Sequence, residues 1–145
     1  MKHATFVYTI YIRADADAVW RGLLEPEFTR HYWMHEHESD WEVGSPWTHR
    51  AIDGGPIRIV GEVLESDRPN KLALSWTPPD KVDDPTETSK VTFEIAPQND
   101  WPNGPWVALT VTHAELIEGS DMHTSVSWGW PALASGLKTL LETGA

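Results

Sequence analysis

Between Met122 and Glu142 apolar side chains recur at Met122, Val126, Trp130, Leu133, Leu137, Leu140 and Leu141. Spacings of three and four put them on one helical face, so this stretch predicts a long C-terminal helix laid against something apolar. That partner has to be a sheet, because nearly all the remaining apolar pattern alternates with period two. Pro131 complicates the helix, since a mid-helix proline removes a hydrogen bond and costs roughly 3 kcal/mol. Either the helix begins near Gly129, or it runs through Pro131 with a kink near Ser127. The apolar stripe continues on both sides of Pro131, which favours the long, kinked helix. Ser120 or Asp121 is the N-cap candidate.

Upstream, Phe6 to Ile12 reads as a strand with Phe6, Tyr8, Ile10 and Ile12 on one face and Val7, Thr9 and Tyr11 on the other. Ala14 to Leu24 changes to helical period, with Asp15 or Asp17 in its first turn. Pro26 ends that helix and opens a short second one, Glu27 to Trp33. From Glu38 onward strands and turns alternate. Val43-Gly44-Ser45-Pro46 turns the chain between Trp41 and Trp47, and Asp53-Gly54-Gly55-Pro56 turns it again. Ile57 to Glu65 is a strand with Gly61 in its middle, the mark of a bulge or sharp bend, and the pattern leaves its inward face open. After the turn at Asp67 to Asn70, Leu72, Leu74 and Trp76 share the buried face of a half-buried strand. Pro78 to Thr88, with three prolines and four acidic residues, is a loop. Val91 to Ile95 and Val107 to His113 alternate as two antiparallel strands joined across Asn99 to Pro105.

At 145 residues, 40% hydrophobic and 23% charged, the chain fits one domain spanning 1–145. A domain of that size buries roughly 70% of its extended surface and needs no metal or disulfide for support. Cysteine is absent, which excludes thiol catalysis and disulfides. The net charge is -11 and the eleven Lys and Arg are scattered, so nucleic acid is not an expected partner. No apolar run is long enough to span a membrane and the N-terminus has no signal-peptide pattern, so the expected location is cytoplasmic, with no membrane partner. Nine tryptophans are a heavy aromatic load for this length. They serve core packing, an aromatic-lined cavity, or both.

In order, the chain reads strand, two short helices, six strands, long helix. It resembles the helix-grip fold of the START-like (SRPBCC) superfamily, and more closely the small bacterial proteins related to the C-terminal domain of the activator of the Hsp90 ATPase. The likeness is carried by Phe6-Val7-Tyr8, Ala18-Val19-Trp20, Tyr32-Trp33, Glu38-Ser39-Asp40-Trp41, Gly61-Glu62-Val63-Leu64-Glu65, Leu72 to Trp76, Val91-Thr92-Phe93-Glu94, Leu109 to His113, and Gly129-Trp130-Pro131 through Leu141-Glu142. The resemblance implies an α+β helix-grip fold with a cavity between sheet and long helix. Members range from lipid carriers to enzymes and co-chaperone domains, so the likeness does not choose among chemistries.

On that reading the ligand-binding candidates are Tyr32 and Trp33 beside the mouth, Trp76, Phe93 and Leu109 on the concave sheet face, and Trp130, Leu133 and Leu137 on the covering helix. Trp47, His49, His113 and Met122 form a second rank. Each of these equally fits plain core filling. His31, His35 and His37 invite a metal reading, but they lack the His-Glu-x-x-His pattern and a fourth anchor, and a charged, solvated loop is the expectation there. Glu62, Glu94 and His113 are the conceivable acid/base groups, with Glu94 alternating toward solvent. No catalytic residue, metal ligand or cofactor is assigned. The expected function is binding of a small apolar or amphipathic molecule, Tyr32 or His113 supplying polar specificity. The alternatives are a co-chaperone-like or regulatory protein-interaction module and an enzyme using the same cavity.

Overall fold

The computed structural model describes residues 2–145. Strand β1 (His3–Ile12) leads into helices α1 (Ala16–Leu24) and α2 (Pro26–Tyr32). Strands β2 (His35–Glu38), β3 (Pro46–Ala51), β4 (Ile57–Asp67), β5 (Lys71–Trp76), β6 (Ser89–Pro97) and β7 (Val107–Ile117) follow, and helix α3 (Asp121–Thr143) closes the chain. The seven strands form one antiparallel sheet in the order β1-β7-β6-β5-β4-β3-β2. Strands β2 to β7 make a meander, and β1 adds to its far edge. The two short helices therefore carry the chain from one edge of the sheet to the other, along the concave side that α3 covers. This is the α+β helix-grip arrangement.

Local chemistry explains the helix boundaries. Asp15 accepts from the Ala18 amide at 2.8 Å to cap α1, and Pro26 starts α2. Ser120 caps α3 through the His123 amide at 3.1 Å, and Gly144, in the left-handed region, ends it. Helix α3 continues through Pro131 for 23 residues, as the unbroken apolar stripe requires. Its buried residues Val126, Trp130, Ala134 and Leu137 form the face turned to the sheet.

Three strand expectations need correction or completion. His35–Glu38, expected as a solvated loop, is strand β2, paired with β3 so that His37 lies opposite His49. His-Glu-His-Glu alternates as strictly as any apolar strand, and His37 is buried. On β4 the inward residues are Ile59 and Val63. Gly61 sits between them, where β4 crosses Trp47 of β3 and approaches the Ser75 carbonyl of β5 so closely that no side chain fits. The bend anticipated at this glycine is thus a close approach of three strands. Strand β5 is also buried more fully than its alternation suggests, because Ala73 is small enough to be shaded by its cross-strand neighbours Glu65 and Thr92.

Candidate functional site

Trp130 stands at the centre of the interior. Its ring lies 5.6 Å from Trp33, 5.4 Å from Trp76 and 5.6 Å from Phe93, in tilted or edge-on geometry. Such arrangements suit the aromatic quadrupole and add to the area the rings bury. Four elements converge to make this cluster: Trp33 caps the end of α2, β5 ends at Trp76, β6 carries Phe93, and α3 carries Trp130 one turn past its cavity-facing Val126.

Beside the cluster, between α3 and the sheet, lies a concavity of about 180 Å³. It is lined by Trp33, Ile59, Trp76, Met122, Ser125, Val126, Gly129, Trp130 and Leu133, and is almost wholly apolar. Trp33, Trp76, Trp130, Leu133 and Met122 were expected at such a site. Ile59, Ser125, Val126 and Gly129 were not. Val126 is in the helical stripe, but the sequence could not show which part of the stripe faces empty space.

The remaining candidates sit elsewhere in the interior. Tyr32, Phe93, Leu109 and Leu137 border a gap of only about 10 Å³ deeper under α3. Room for about one water is all that such a gap offers, so this end of the interior is packed. Trp47 is buried and donates its indole N–H to the Ser75 carbonyl at 2.8 Å. His49 lies behind the cluster, stacked between His35 at 4.3 Å and His37 at 4.9 Å.

His113 belongs to a closed hydrogen-bond chain. Trp130 Nε1 donates to His113 Nδ1 at 3.0 Å, which fixes the imidazole proton on Nε2. Nε2 then donates to Ser89 Oγ at 2.7 Å, and the Ser89 hydroxyl reaches the Trp76 carbonyl at 3.4 Å. Burial pushes the His113 pKa down to about 4, so the ring is neutral at neutral pH. This chain ties α3 to β6 and β7 and leaves His113 no free nitrogen for a ligand. Tyr32 is committed in the same way, its hydroxyl donating to the Gly22 carbonyl at 2.8 Å.

Replacing Trp130 with Phe should therefore cost about 1–3 kcal/mol, because it strands the buried Nδ1 of His113 without a donor. Urea unfolding measures it; a loss well under 1 kcal/mol would show the chain to be energetically idle.

A second buried histidine pair lies under β2 and β3. His37 Nδ1 and His49 Nδ1 are 3.0 Å apart, so one donates and the other accepts. Burial, and then repulsion from neighbouring imidazoles, holds both far below the ordinary imidazole pKa. The parallel stacking of His35 on His49, with planes 9° apart, prevents both rings from presenting a nitrogen in-plane to one ion. Among the described residues no group of three or more His, Asp or Glu is arranged to hold a metal. Glu62 and Glu94 face solvent.

Residues 13–142 match the family described as activator of Hsp90 ATPase homolog 1-like protein. The chain belongs to that family. Among solved structures, protein MLL2253 from Mesorhizobium loti superposes with a TM-score of 0.76 at 24% identity, covering 96% of this chain and 97% of that one. ChR145 from Cytophaga hutchinsonii gives 0.75 at 23% identity over 97% and 95% of the two chains. The Aha1 dimer from Colwellia psychrerythraea gives 0.75 at 16% identity over 97% and 98%. At these identities the likeness shows the fold alone, the helix-grip arrangement. No curated protein matches the sequence at a significant level. No helix among the described residues is long and apolar enough to cross a membrane.

Proposed function

We propose that this protein binds a small apolar or amphipathic molecule in the concavity between the sheet and α3. The observation that carries the reading is the contrast within one interior. Under Trp130 to Leu137 of α3 the side chains close to a gap of about 10 Å³, and the gap beside Trp41 and Trp47 is as small, whereas the space beside Trp33, Trp76 and Trp130 stays open at about 180 Å³. The concavity is open to solvent on one side, and its volume is comparable to the roughly 150 Å³ that accommodates a benzene-sized molecule in an enclosed apolar cavity, so a ring-sized apolar body suits it. Stacking on the indoles and burial of apolar surface at about 25 cal/mol per Å² supply the affinity.

Because three tryptophans line the space, binding should be visible in intrinsic fluorescence. Titration with toluene or naphthalene is expected to shift the emission and give a Kd of about 10–100 μM, in keeping with the modest affinity of ligands this small. Replacing Gly129 with Leu should block it by filling the rim, since a side chain there meets nothing else within 4 Å. Unchanged emission across such probes would reject the reading.

A second reading, association through the outer surface, is favoured by Trp128, which is 81% exposed on α3. The Colwellia psychrerythraea protein is described as a dimer. Sedimentation of the wild type against Trp128→Ser tests whether this side chain holds copies of the chain together.

A further inference from the structure

An indole nitrogen can only donate, and a buried donor that meets no acceptor weakens a fold. Trp47 and Trp130 meet this demand inside the protein, at 2.8 Å to the Ser75 carbonyl and 3.0 Å to His113. Trp76 does not. The residue is 7% exposed, its Nε1 is buried, and among the described residues no hydrogen-bond partner reaches that atom. The rings of Trp47, His49, His113 and Trp130 pack around this indole, with centroids 5.4 to 5.8 Å away, and none offers it an acceptor. Thr29 Oγ1 is in the same condition, but Thr29 does not line the concavity.

Trp76 borders two spaces of very different size. The gap beside Trp41 and Trp47 holds about 10 Å³, room for about one water. The concavity under α3 holds about 180 Å³, so of the two it is the one that admits an organic acceptor. The rest of its wall has the same bias. Besides the weakly accepting sulfur of Met122, the side chains there that can hydrogen-bond are the indoles of Trp33, Trp76 and Trp130 and the hydroxyl of Ser125 at the exposed rim. No charged residue lines the space. A carboxylate would give up hydration there with no cation to meet it, on a chain whose net charge is -11, and an ammonium would find no anion.

We propose that the concavity selects a neutral, ring-bearing molecule whose carbonyl or ether oxygen accepts a hydrogen bond from Trp76 Nε1. The ring packs against Trp33 and Trp130, and the oxygen meets the buried donor that the fold leaves unpaired. This inference rests on the binding reading above and adds to it the chemical class of the ligand.

Three molecules of matched size test it: acetophenone, cumene and benzoate. Acetophenone gives up hydration that cumene never had, so the quantity to read is the ratio of their affinities, which also cancels most of the ring area lost in Trp76→Phe. Calorimetric titration is expected to show the acetophenone-to-cumene ratio falling about tenfold from the wild type to Trp76→Phe. Benzoate should bind the wild type about tenfold more weakly than acetophenone, or not at all. In a proton–nitrogen correlation spectrum of the wild type, acetophenone should move the Trp76 indole proton downfield and cumene should not, a readout that does not need the variant to fold. A ratio that survives Trp76→Phe, or a Trp76 signal that acetophenone leaves where cumene does, overturns the assignment to this N–H while the apolar site stands. Benzoate binding as tightly as acetophenone overturns the neutral class. If neither acetophenone nor cumene binds, the apolar site fails and this proposal with it.

Discussion

Lowering the pH from about 7.5 to about 5 is expected to cost the fold about 4–6 kcal/mol, the contribution of its three buried neutral imidazoles. The sign follows from where the protons go. As the pH falls through about 6.5 the unfolded chain protonates each of His37, His49 and His113, whereas the folded chain does not, so unfolding takes up protons and is favoured by acid. For His113 the loss runs from about 6.5 down to its folded value of about 4 and amounts to about 3 kcal/mol in full. His37 and His49 act in the same direction, because burial disfavours their charged forms. Adding a proton to the accepting member of that pair also breaks their mutual hydrogen bond.

Against a total stability of about 5–15 kcal/mol, such a loss brings the protein near its unfolding threshold. The carboxylates whose pKa values are lowered, Asp40, Glu65, Asp84 and Glu142, lose their contribution as the pH falls from the usual carboxylate range toward their lowered values, so the window between about pH 5 and 6.5 isolates the histidines. Urea unfolding at several pH values measures the effect, with a slope of about 1.4 kcal/mol per pH unit for each histidine. A stability that stays flat to about pH 5 would mean that these rings protonate freely in the folded state.

Gly61→Ala is expected to be the most damaging single methyl group in the chain. A Cβ at Gly61 would run into the Ser75 carbonyl and the Trp47 indole nitrogen. Neither can yield cheaply. The carbonyl is β-sheet backbone, and the indole N–H is held on that same carbonyl at 2.8 Å. Moving either separates β3 from β5 at the bend and opens the layer beneath Trp76. A loss of about 3 kcal/mol or more follows, which corresponds to a fall of roughly 10 °C in Tm for a domain of this size. Differential scanning calorimetry reads it. Gly54→Ala is the control, because its glycine sits in a turn with nothing within 4 Å, and only its positive φ of 75° is strained. Equal melting temperatures for the two variants would show that the three-strand approach carries no special energy.

Legibility along the chain followed pattern length. The alternation of Phe6 to Ile12, Val91 to Ile95 and Val107 to His113, and the stripe from Met122 to Leu141, were long enough to name strand and helix unaided. The helix runs through Pro131 because its packed face extends to both sides of that residue, so the lost hydrogen bond is outweighed by burial of Val126, Trp130 and Leu137. Strand β2 was misread because its alternating residues are His and Glu, which hydropathy counts as uniformly polar. Yet neutral imidazoles can be buried when paired, and His37 meets His49 only after β2 and β3 have been brought into register.

Of the residues around the open concavity, Trp76, Trp130, Leu133 and Met122 lie on apolar faces that periodicity marks, and Trp33 was expected there from the family resemblance. That Phe93, Leu109 and Leu137 instead border a nearly filled gap was legible in neither. All are apolar residues on the same inward faces. Whether such a residue meets a neighbour or empty space depends on how far the sheet curves from α3 along the helix.

By itself the sequence determined the class of every long element, the order in which they come, the single apolar face of α3 and the need for a sheet beneath it. Those are consequences of periodicity and composition, which act within a few residues of each other. Only the tertiary structure decided where the interior closes and where it stays open, which histidines are buried and partnered, and which polar groups remain free to meet a ligand. These depend on contacts between residues far apart in the chain, such as Trp130 with His113 and Trp47 with Ser75. The tight packing that makes such contacts specific is set by the shapes of the residues that meet, and no local pattern records it.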